Sequence, residues 1–300
     1  MLPPDRSHIL TEMRNPMSAG IHRQTVDEIL RTIQQADREV LDAVAAAGPA
    51  VARFVTAVEE TFIAGGRLIY LGAGTSGRLG VLDASEIPPT FQLPPGRIIG
   101  IIAGGDGALR VSSEGKEDDP RGAVEALSAL GLSRMDTVLG IAAGGTTPYV
   151  LGALAFAKSI ANPPLTGMLS CAPISTPPHC DHLIVAATGP EVVTGSTRMK
   201  AGTATKLILN QISTTLMIRS GRVYENLMVD VKATNEKLRD RAARIVGILT
   251  GLDRGAALAK VDEAGGSVKL AVVMARKGVS AVEAQTLLNH AGGHLYKILG

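Results

Sequence analysis

Residues 67–91 read RLIYLGAGTSGRLGVLDASEIPPTF. Leu68-Ile69-Tyr70-Leu71 is a short apolar run of the length that suits a buried strand. Gly72-Ala73-Gly74-Thr75-Ser76-Gly77 follows it. Glycines let backbone N–H groups turn toward one point, and Thr75 and Ser76 add hydroxyl donors. That combination suits a phosphate monoester or another anion held at a strand-to-helix turn. A carboxylate, Glu86, stands just beyond, and Pro88-Pro89 are expected to stop the helix there. The spelling also matches G-x-G-x-x-G, which alone is weak evidence for a dinucleotide site. Such a site wants an unbroken helix after the third glycine and an acidic residue about 20 positions on. Here Glu-Ile-Pro-Pro interrupts the segment, and the next strand-end acid, Asp106, comes later than that. Adjacent Thr and Ser suit a small sugar phosphate better than a pyrophosphate. A purely structural tight turn is the remaining alternative.

Working outward, four more short apolar runs end in glycine or small polar residues. They are 98–102 (then AGGDG), 137–141 (then AAGGTTP), 166–169 (then SCAP) and 182–186 (then TGPEVVTG). Helical patterns such as 121–130 and 148–160 separate most of them. Strands buried on both faces and alternating with helices predict an α/β fold with a doubly wound parallel sheet. In such sheets ligands sit at the carboxyl ends of the strands, where these glycine- and hydroxyl-rich tails fall. Upstream, residues 1–23 are irregular and polar. Thr25-x-x-Glu28 is a capping-box pattern that opens a helix. A second helix is expected over 49–64, stopped by Gly65-Gly66. A long helix runs from Ala201 to near Gly221. Short helices follow at 236–250, 253–264, 267–277 and 280–289. This divides the chain into an N-terminal helical segment (1–52), a sheet domain (53–222) and a C-terminal helical domain (223–300).

Apolar residues make up 45% of the 300 positions, ample for a core. Aromatics are only 3% and Trp is absent, so that core must be built from Ala, Val, Ile and Leu. The net charge is +2, with no basic tract interleaved with aromatics, so nucleic acid is not an expected partner. No run approaches the roughly 18 apolar residues of a membrane helix, and the start of the chain lacks a secretory pattern. Cys171 and Cys180 read as reduced, buried thiols of a cytoplasmic protein.

Four constellations carry candidate chemistry. The first is the Thr75-Ser76-Gly77 turn. The second is Gly144-Gly145-Thr146-Thr147-Pro148, whose N–H groups and hydroxyls would close on the same anion. The third is Thr194-Gly195-Ser196-Thr197-Arg198-Met199-Lys200, a basic loop opening the long helix, read either as an anion site or as an ordinary cap with solvent-facing cations. The fourth is the acidic set Glu114, Glu117, Asp118 and Asp119, read either as a solvated face or as catalytic carboxylates. His179, Cys180, Asp181 and His182 superficially suggest a metal, but Pro177-Pro178 and the strand that follows favour a satisfied loop.

The segments GAGTSGRLGVLDASEIPPTF, TGPEVVTGSTRMKAGTATKLILNQISTTLMIRSG, NLMVDVKATNEKLRDRA and TEMRNPMS together resemble the N-acetylmuramic acid 6-phosphate etherases. The resemblance runs from about Thr11 to the last helix. It implies a sugar-isomerase (SIS) domain, a three-layer α/β/α sandwich, with a small helical C-terminal domain. It implies a homodimer without metal or redox cofactor that cleaves the D-lactyl ether of the sugar. By the same resemblance Glu86 would be the general acid and Glu117 the general base, with Glu114 the first glutamate of the E-G-x-E-D motif. Thr75, Ser76, Gly145 and Thr147 would grip the phosphate, and Thr197 and Arg198 would contact the sugar or its phosphate. Members of that family usually read S-G-R-T-P where this chain has 144–148, so a serine hydroxyl and an arginine charge are missing. Backbone amides and Thr146 would substitute. Two rival activities share the fold: a non-catalytic sugar-phosphate regulator, since the glucokinase regulatory protein shares much of TGSTRMKAGTATK, and an aldose–ketose isomerase, which also removes the proton on carbon 2.

Overall fold

The computed structural model describes residues 5–231 and 235–300. Short 3-10 turns occupy the segment before Thr25, which the sequence pattern leaves irregular. The Thr25 capping box opens α1 (Val26–Ile63). Two helices were expected across this stretch and one forms, with Pro49 inside it. The buried face explains the continuity. Val40, Ala43, Val44 and Ala47 are followed on the same side by Val51, Phe54, Val55, Val58 and Phe62. Burying that stripe outweighs the roughly 3 kcal/mol that a mid-helix proline costs. By length and composition α1 also contains an 18-residue window apolar enough to cross a membrane, contrary to the sequence reading, with 39% of that window buried in the fold.

β1 (Leu68–Gly72) leads directly into α2 (Gly74–Phe91). Pro88-Pro89 do not stop this helix. Gln92 N–H still donates to the Pro88 carbonyl at 2.9 Å, and Ile87 and Phe91 bury their side chains. The chain continues through β2 (Ile98–Ile102), α3 (Val124–Ala129), β3 (Thr137–Ile141), α4 (Pro148–Ser159), β4 (Leu165–Ser170), β5 (His182–Val185) and α5 (Lys200–Arg219). The five strands form one parallel sheet in the order β2-β1-β3-β4-β5. Side chains alternate across it. Ile69, Leu71, Val138 and Met168 meet Leu127 of α3 and Val150 and Leu154 of α4. On the other face Gly80 of α2 lies against Tyr70, and Phe54 of α1 lies against Gly167. The result is a three-layer α/β/α arrangement. Its amino-terminal edge is tied by Arg67, whose guanidinium meets both oxygens of buried Asp136 at 2.7 and 2.8 Å.

The remainder is a hairpin, β6 (Val223–Tyr224) and β7 (Leu227–Met228), and five helices. These are α6 (Glu236–Thr250), α7 (Arg254–Glu263), α8 (Val268–Lys277), α9 (Ala281–His290) and a terminal turn, α10 (Tyr296–Leu299). Four match the expected spans within a residue or two. The hairpin and α10 are too short to leave a periodic signal. Ile245, Val246, Val261, Val268 and Val272 form their shared core. Lys269, nearly buried there, pairs with Asp230 at 2.7 Å. Contacts group the chain into two compact units, residues up to 85 with 96–213, and 86–95 with 214–300. α1 falls in the first unit with the sheet, and the division near the end of α5 falls at 213/214.

Candidate active site

In a 2-1-3-4-5 parallel sheet, the connections from β1 and β3 leave toward opposite faces, and the crevice at their carboxyl ends is the expected binding place. A cleft of 240 Å³ lies there. The first turn of α2 contributes Gly74, Thr75 and Ser76, whose N–H groups precede the first intrahelical bond, Gly77 N–H to Ala73 O. The loop after β3 contributes Gly144, Thr146 and Thr147. Thr147 is the residue before α4 yet makes no side-chain cap, so its hydroxyl is not spent on the helix. Glu117 and Asp118 enter from the long connection after β2, and Thr197 from the loop before α5. The N-terminal segment adds Arg6, Ile9 and Glu12.

Thr75, Ser76, Glu117, Thr146, Thr147 and Thr197 therefore share one cleft. Four other candidates do not line it. Gly77 is buried behind the turn, where a Cβ would lie 2.5 Å from the Gly72 carbonyl, so its part is the close approach of helix to strand. Gly145 is buried with φ +75°, and a Cβ there would meet Ile174 at 2.7 Å. Arg198 is exposed and outside the lining set. Glu86 is also exposed and outside it, about three turns beyond Thr75 along α2. The Glu114 side chain and residues 232–234 of the NLMVDVKATNEKLRDRA motif lie outside the described residues.

The loop carrying Glu117 is fixed from two sides. Tyr149 N–H, in the first turn of α4, donates to the Glu117 carbonyl at 3.0 Å. Arg78 of α2 donates to the carbonyls of Ala108 and Leu109, earlier in the same connection. Pro120 also sits so close to α4 that a Cβ at Gly152 would lie 1.8 Å from its carbonyl oxygen.

The N-terminus of α5 is not open to a ligand, which corrects the reading of the basic loop. Glu191, fully buried, accepts from Lys200 N–H at 3.0 Å and from Ala201 N–H at 2.9 Å. Burial pushes the Glu191 carboxyl up, and those two amides pull it back. Lys200 does not face solvent. Its ammonium is fully buried and meets Glu39 of α1 at 2.8 Å. A second buried carboxylate, Asp83, accepts from Asn210 at 2.7 Å and from Ser213 at 3.1 Å, joining α2 to α5. Burial pushes the Asp83 carboxyl up against the pull of these donors, and burial beside it raises the Tyr70 phenol well above its ordinary range.

Neither cysteine is held as a thiolate. Burial pushes both thiols up to about 11, although Cys180 is only half-buried, where the sequence suggested a buried thiol. The residues around Cys180 have structural partners. Asp181 pairs with Lys158 at 2.5 Å, the His179 carbonyl accepts from Thr166, and the His182 ring packs edge-on against Phe54. Sequence reasoning missed Arg6, Glu12, Glu191 and Glu39. The spelling TEMRNPMS carried only a resemblance; that Thr11 and Asn15 are buried emerges from the structure alone.

Five parallel strands in this order, with hydroxyl-bearing turns gathered at the switch point, form the doubly wound α/β layout expected of a sugar-isomerase (SIS) domain. A family model described as the glucokinase regulatory protein N-terminal SIS domain matches residues 50–158. A protein of Synechococcus sp. (strain CC9605) named N-acetylmuramic acid 6-phosphate etherase is 52% identical over 285 residues, covering 95% of this chain and 90% of that one. One of the same name from Gloeobacter violaceus is 49% identical over 293 residues, covering 97% and 95%. Among solved structures, a phosphoheptose isomerase from Francisella tularensis is similar at 18% identity and a TM-score of 0.47, covering 65% of this chain and 99% of that one. The chain belongs to the N-acetylmuramic acid 6-phosphate etherase family.

Proposed function

We propose that the protein cleaves the D-lactyl ether of N-acetylmuramic acid 6-phosphate, giving N-acetylglucosamine 6-phosphate and D-lactate in cytoplasmic amino-sugar recycling. The observation that carries this reading is that Glu117 lines the same cleft as the hydroxyls of Thr75, Ser76, Thr146 and Thr147, in a chain of this family. The turn at Thr75-Ser76 and the 146–147 loop hold the phosphate, which fixes the reacting carbons beside Glu117. In the open-chain sugar the carbonyl acidifies the proton on carbon 2. Glu117 takes that proton, the released electron pair forms the C2–C3 double bond, and the C3–O bond breaks. A general acid protonates the departing lactyl oxygen. Water then adds its oxygen to carbon 3 of the unsaturated aldehyde, and a proton returns to carbon 2.

Glu86 is the general-acid candidate. It is not among the residues lining the cleft; in this reading the second copy of a homodimer delivers it, and Thr197 and Arg198 contact the sugar from the third loop. Incubation with N-acetylmuramic acid 6-phosphate should release D-lactate, read by a coupled dehydrogenase. Glu117→Gln should lose at least about 10²-fold in kcat while still binding inorganic phosphate. An isomerase would free no acid, and a binding-only regulator would turn over nothing. No D-lactate from the wild-type protein, or a Glu117→Gln variant as fast as wild type, would end this reading.

A further inference from the structure

The cleft poses a charge problem. Glu12, Glu117 and Asp118 all line it, and a phosphate monoester brings further negative charge. The helix N-terminus at Thr75-Ser76 offers only about half an elementary charge. Among the described residues nearby, Arg78, which lines an adjoining pocket with Gly74 and Glu117, donates to the carbonyls of Ala108 and Leu109. Lys200 is buried against Glu39, Arg198 is outside the lining set, and position 146 is a threonine. Among the described lining residues one cation is left, Arg6.

Arg6 is not on a loose tail. Its carbonyl accepts from Ile9 N–H at 2.9 Å, and Asp5 caps the same turn through Ser7 N–H at 2.9 Å. Ile9 and Thr11 are buried, and both rest on the second loop. A Cβ at Gly144 would lie 3.4 Å from Thr11 Oγ1 and 3.5 Å from an Ile9 methyl carbon. Asn15 then fastens the segment from below by donating to the Pro190 carbonyl at 3.0 Å. Both distances are ordinary van der Waals contacts, so the segment packs directly on the loop at Gly144.

We infer that Arg6, carried over the cleft by this N-terminal strap, supplies the cation that binds the phosphate of the substrate and so selects phosphorylated over free sugar. This rests on the sugar-phosphate reading above. A guanidinium presents paired donors that match phosphate oxygens, and such charge-assisted bonds are roughly twice as strong as neutral ones. The strap therefore performs, from a different part of the chain, the task of a loop arginine. Arg6 acts in binding, not in proton transfer.

The test compares wild type, Arg6→Ala and Arg6→Lys. D-lactate release from N-acetylmuramic acid 6-phosphate gives kcat and KM, and inorganic phosphate serves as a competing anion whose Ki is measured on each protein. Arg6→Ala should raise KM and the phosphate Ki together by about 10- to 100-fold, with the loss falling on KM far more than on kcat. Arg6→Lys should recover part of both, because charge survives and the fork does not. Arg6 is exposed, so its removal leaves no buried group unpaired. If Arg6→Ala keeps both constants within twofold of wild type while wild type releases D-lactate, the inference fails and the activity stands. If wild type releases no D-lactate but phosphate binding, followed calorimetrically, still weakens in Arg6→Ala, the activity fails and Arg6 remains the phosphate cation. A drop in kcat alone, with phosphate binding unchanged, would make Arg6 structural and overturn the inference.

Discussion

Adding one methyl group at Gly152 should separate catalysis from binding. Gly152 is within α4 and helical, so alanine suits its backbone and gains roughly 0.8–1 kcal/mol in helix propensity. The objection is steric and points one way. The new Cβ would lie 1.8 Å from the Pro120 carbonyl oxygen, 2.5 Å from its carbon and 2.8 Å from its Cα. Reaching ordinary contact requires the Pro120 peptide to retreat by about 1.5 Å. Pro120 is three residues after Glu117, and Glu117 is held by its carbonyl on Tyr149 N–H at the start of the same helix. The retreat must therefore pull on that bond and displace the Glu117 side chain. A misplacement of about 1 Å costs on the order of 10²-fold in rate. Overpacking costs about 1–3 kcal/mol, so after the propensity gain the net loss of stability should be at most about 2 kcal/mol. Expected for Gly152→Ala is a kcat for D-lactate release down about 10²-fold, a protein that still unfolds cooperatively, and a phosphate Ki within threefold of wild type, since α2 is untouched. A folded variant with kcat within threefold of wild type would refute the claim that this close approach positions Glu117.

Two further outcomes follow from the buried and exposed carboxylates. The Asp83 carboxyl is raised above its unfolded value by burial, so it contributes stability below that unfolded value, near 3.9, and the contribution fades as pH rises through the folded pKa. Asp83→Asn keeps the acceptor used by Asn210 and Ser213 and removes the titration. The Tm difference, variant minus wild type, should then grow from pH 4 upward before levelling, and parallel Tm profiles would refute the assignment. If the acid at one cleft comes from a second copy of the chain, inactive Glu86→Ala and Glu117→Ala proteins mixed under reassociating conditions should regain about a quarter of wild-type activity. Half of random dimers are mixed and each holds one intact site of two. No recovery after verified subunit exchange would place both carboxylates on one chain.

What could be read from the sequence was local. Strand length, the period of α3 to α9 and the anion-ready turn at Thr75-Ser76 depend on neighbours within a few positions, and they emerged with nearly correct bounds. Where the reading went wrong, a distant group decided the outcome. A new helix beginning at 49 and a stop at Pro88-Pro89 were expected because propensity is local, whereas burial of Phe54 and Phe91 is settled by the rest of the fold. Lys200 read either as part of an anion site at a helix start or as a solvent-facing cation. Its partner, Glu39, is 161 positions away, and the helix start itself is occupied by Glu191.

The same logic explains why the cleft was legible only in part. Its anion-holding half is built from turns that follow strands, and each turn spells out its own chemistry. Its charge balance is not spelled out anywhere. It depends on which cations the fold has already consumed, on Thr11 and Ile9 packing against the loop at Gly144, and on an arginine 69 positions before Thr75. Each of those residues is unremarkable in its own neighbourhood, since a lone arginine near the start of a chain is ordinarily solvated. Only after Lys200 is seen to be spent on Glu39, and Arg198 to lie outside the lining, does Arg6 become the remaining cation among the described residues that line the cleft. In the proposed reading the substrate's phosphate would be held by neighbouring hydroxyls and amides that the sequence displays, and by a charge that the tertiary fold alone selects.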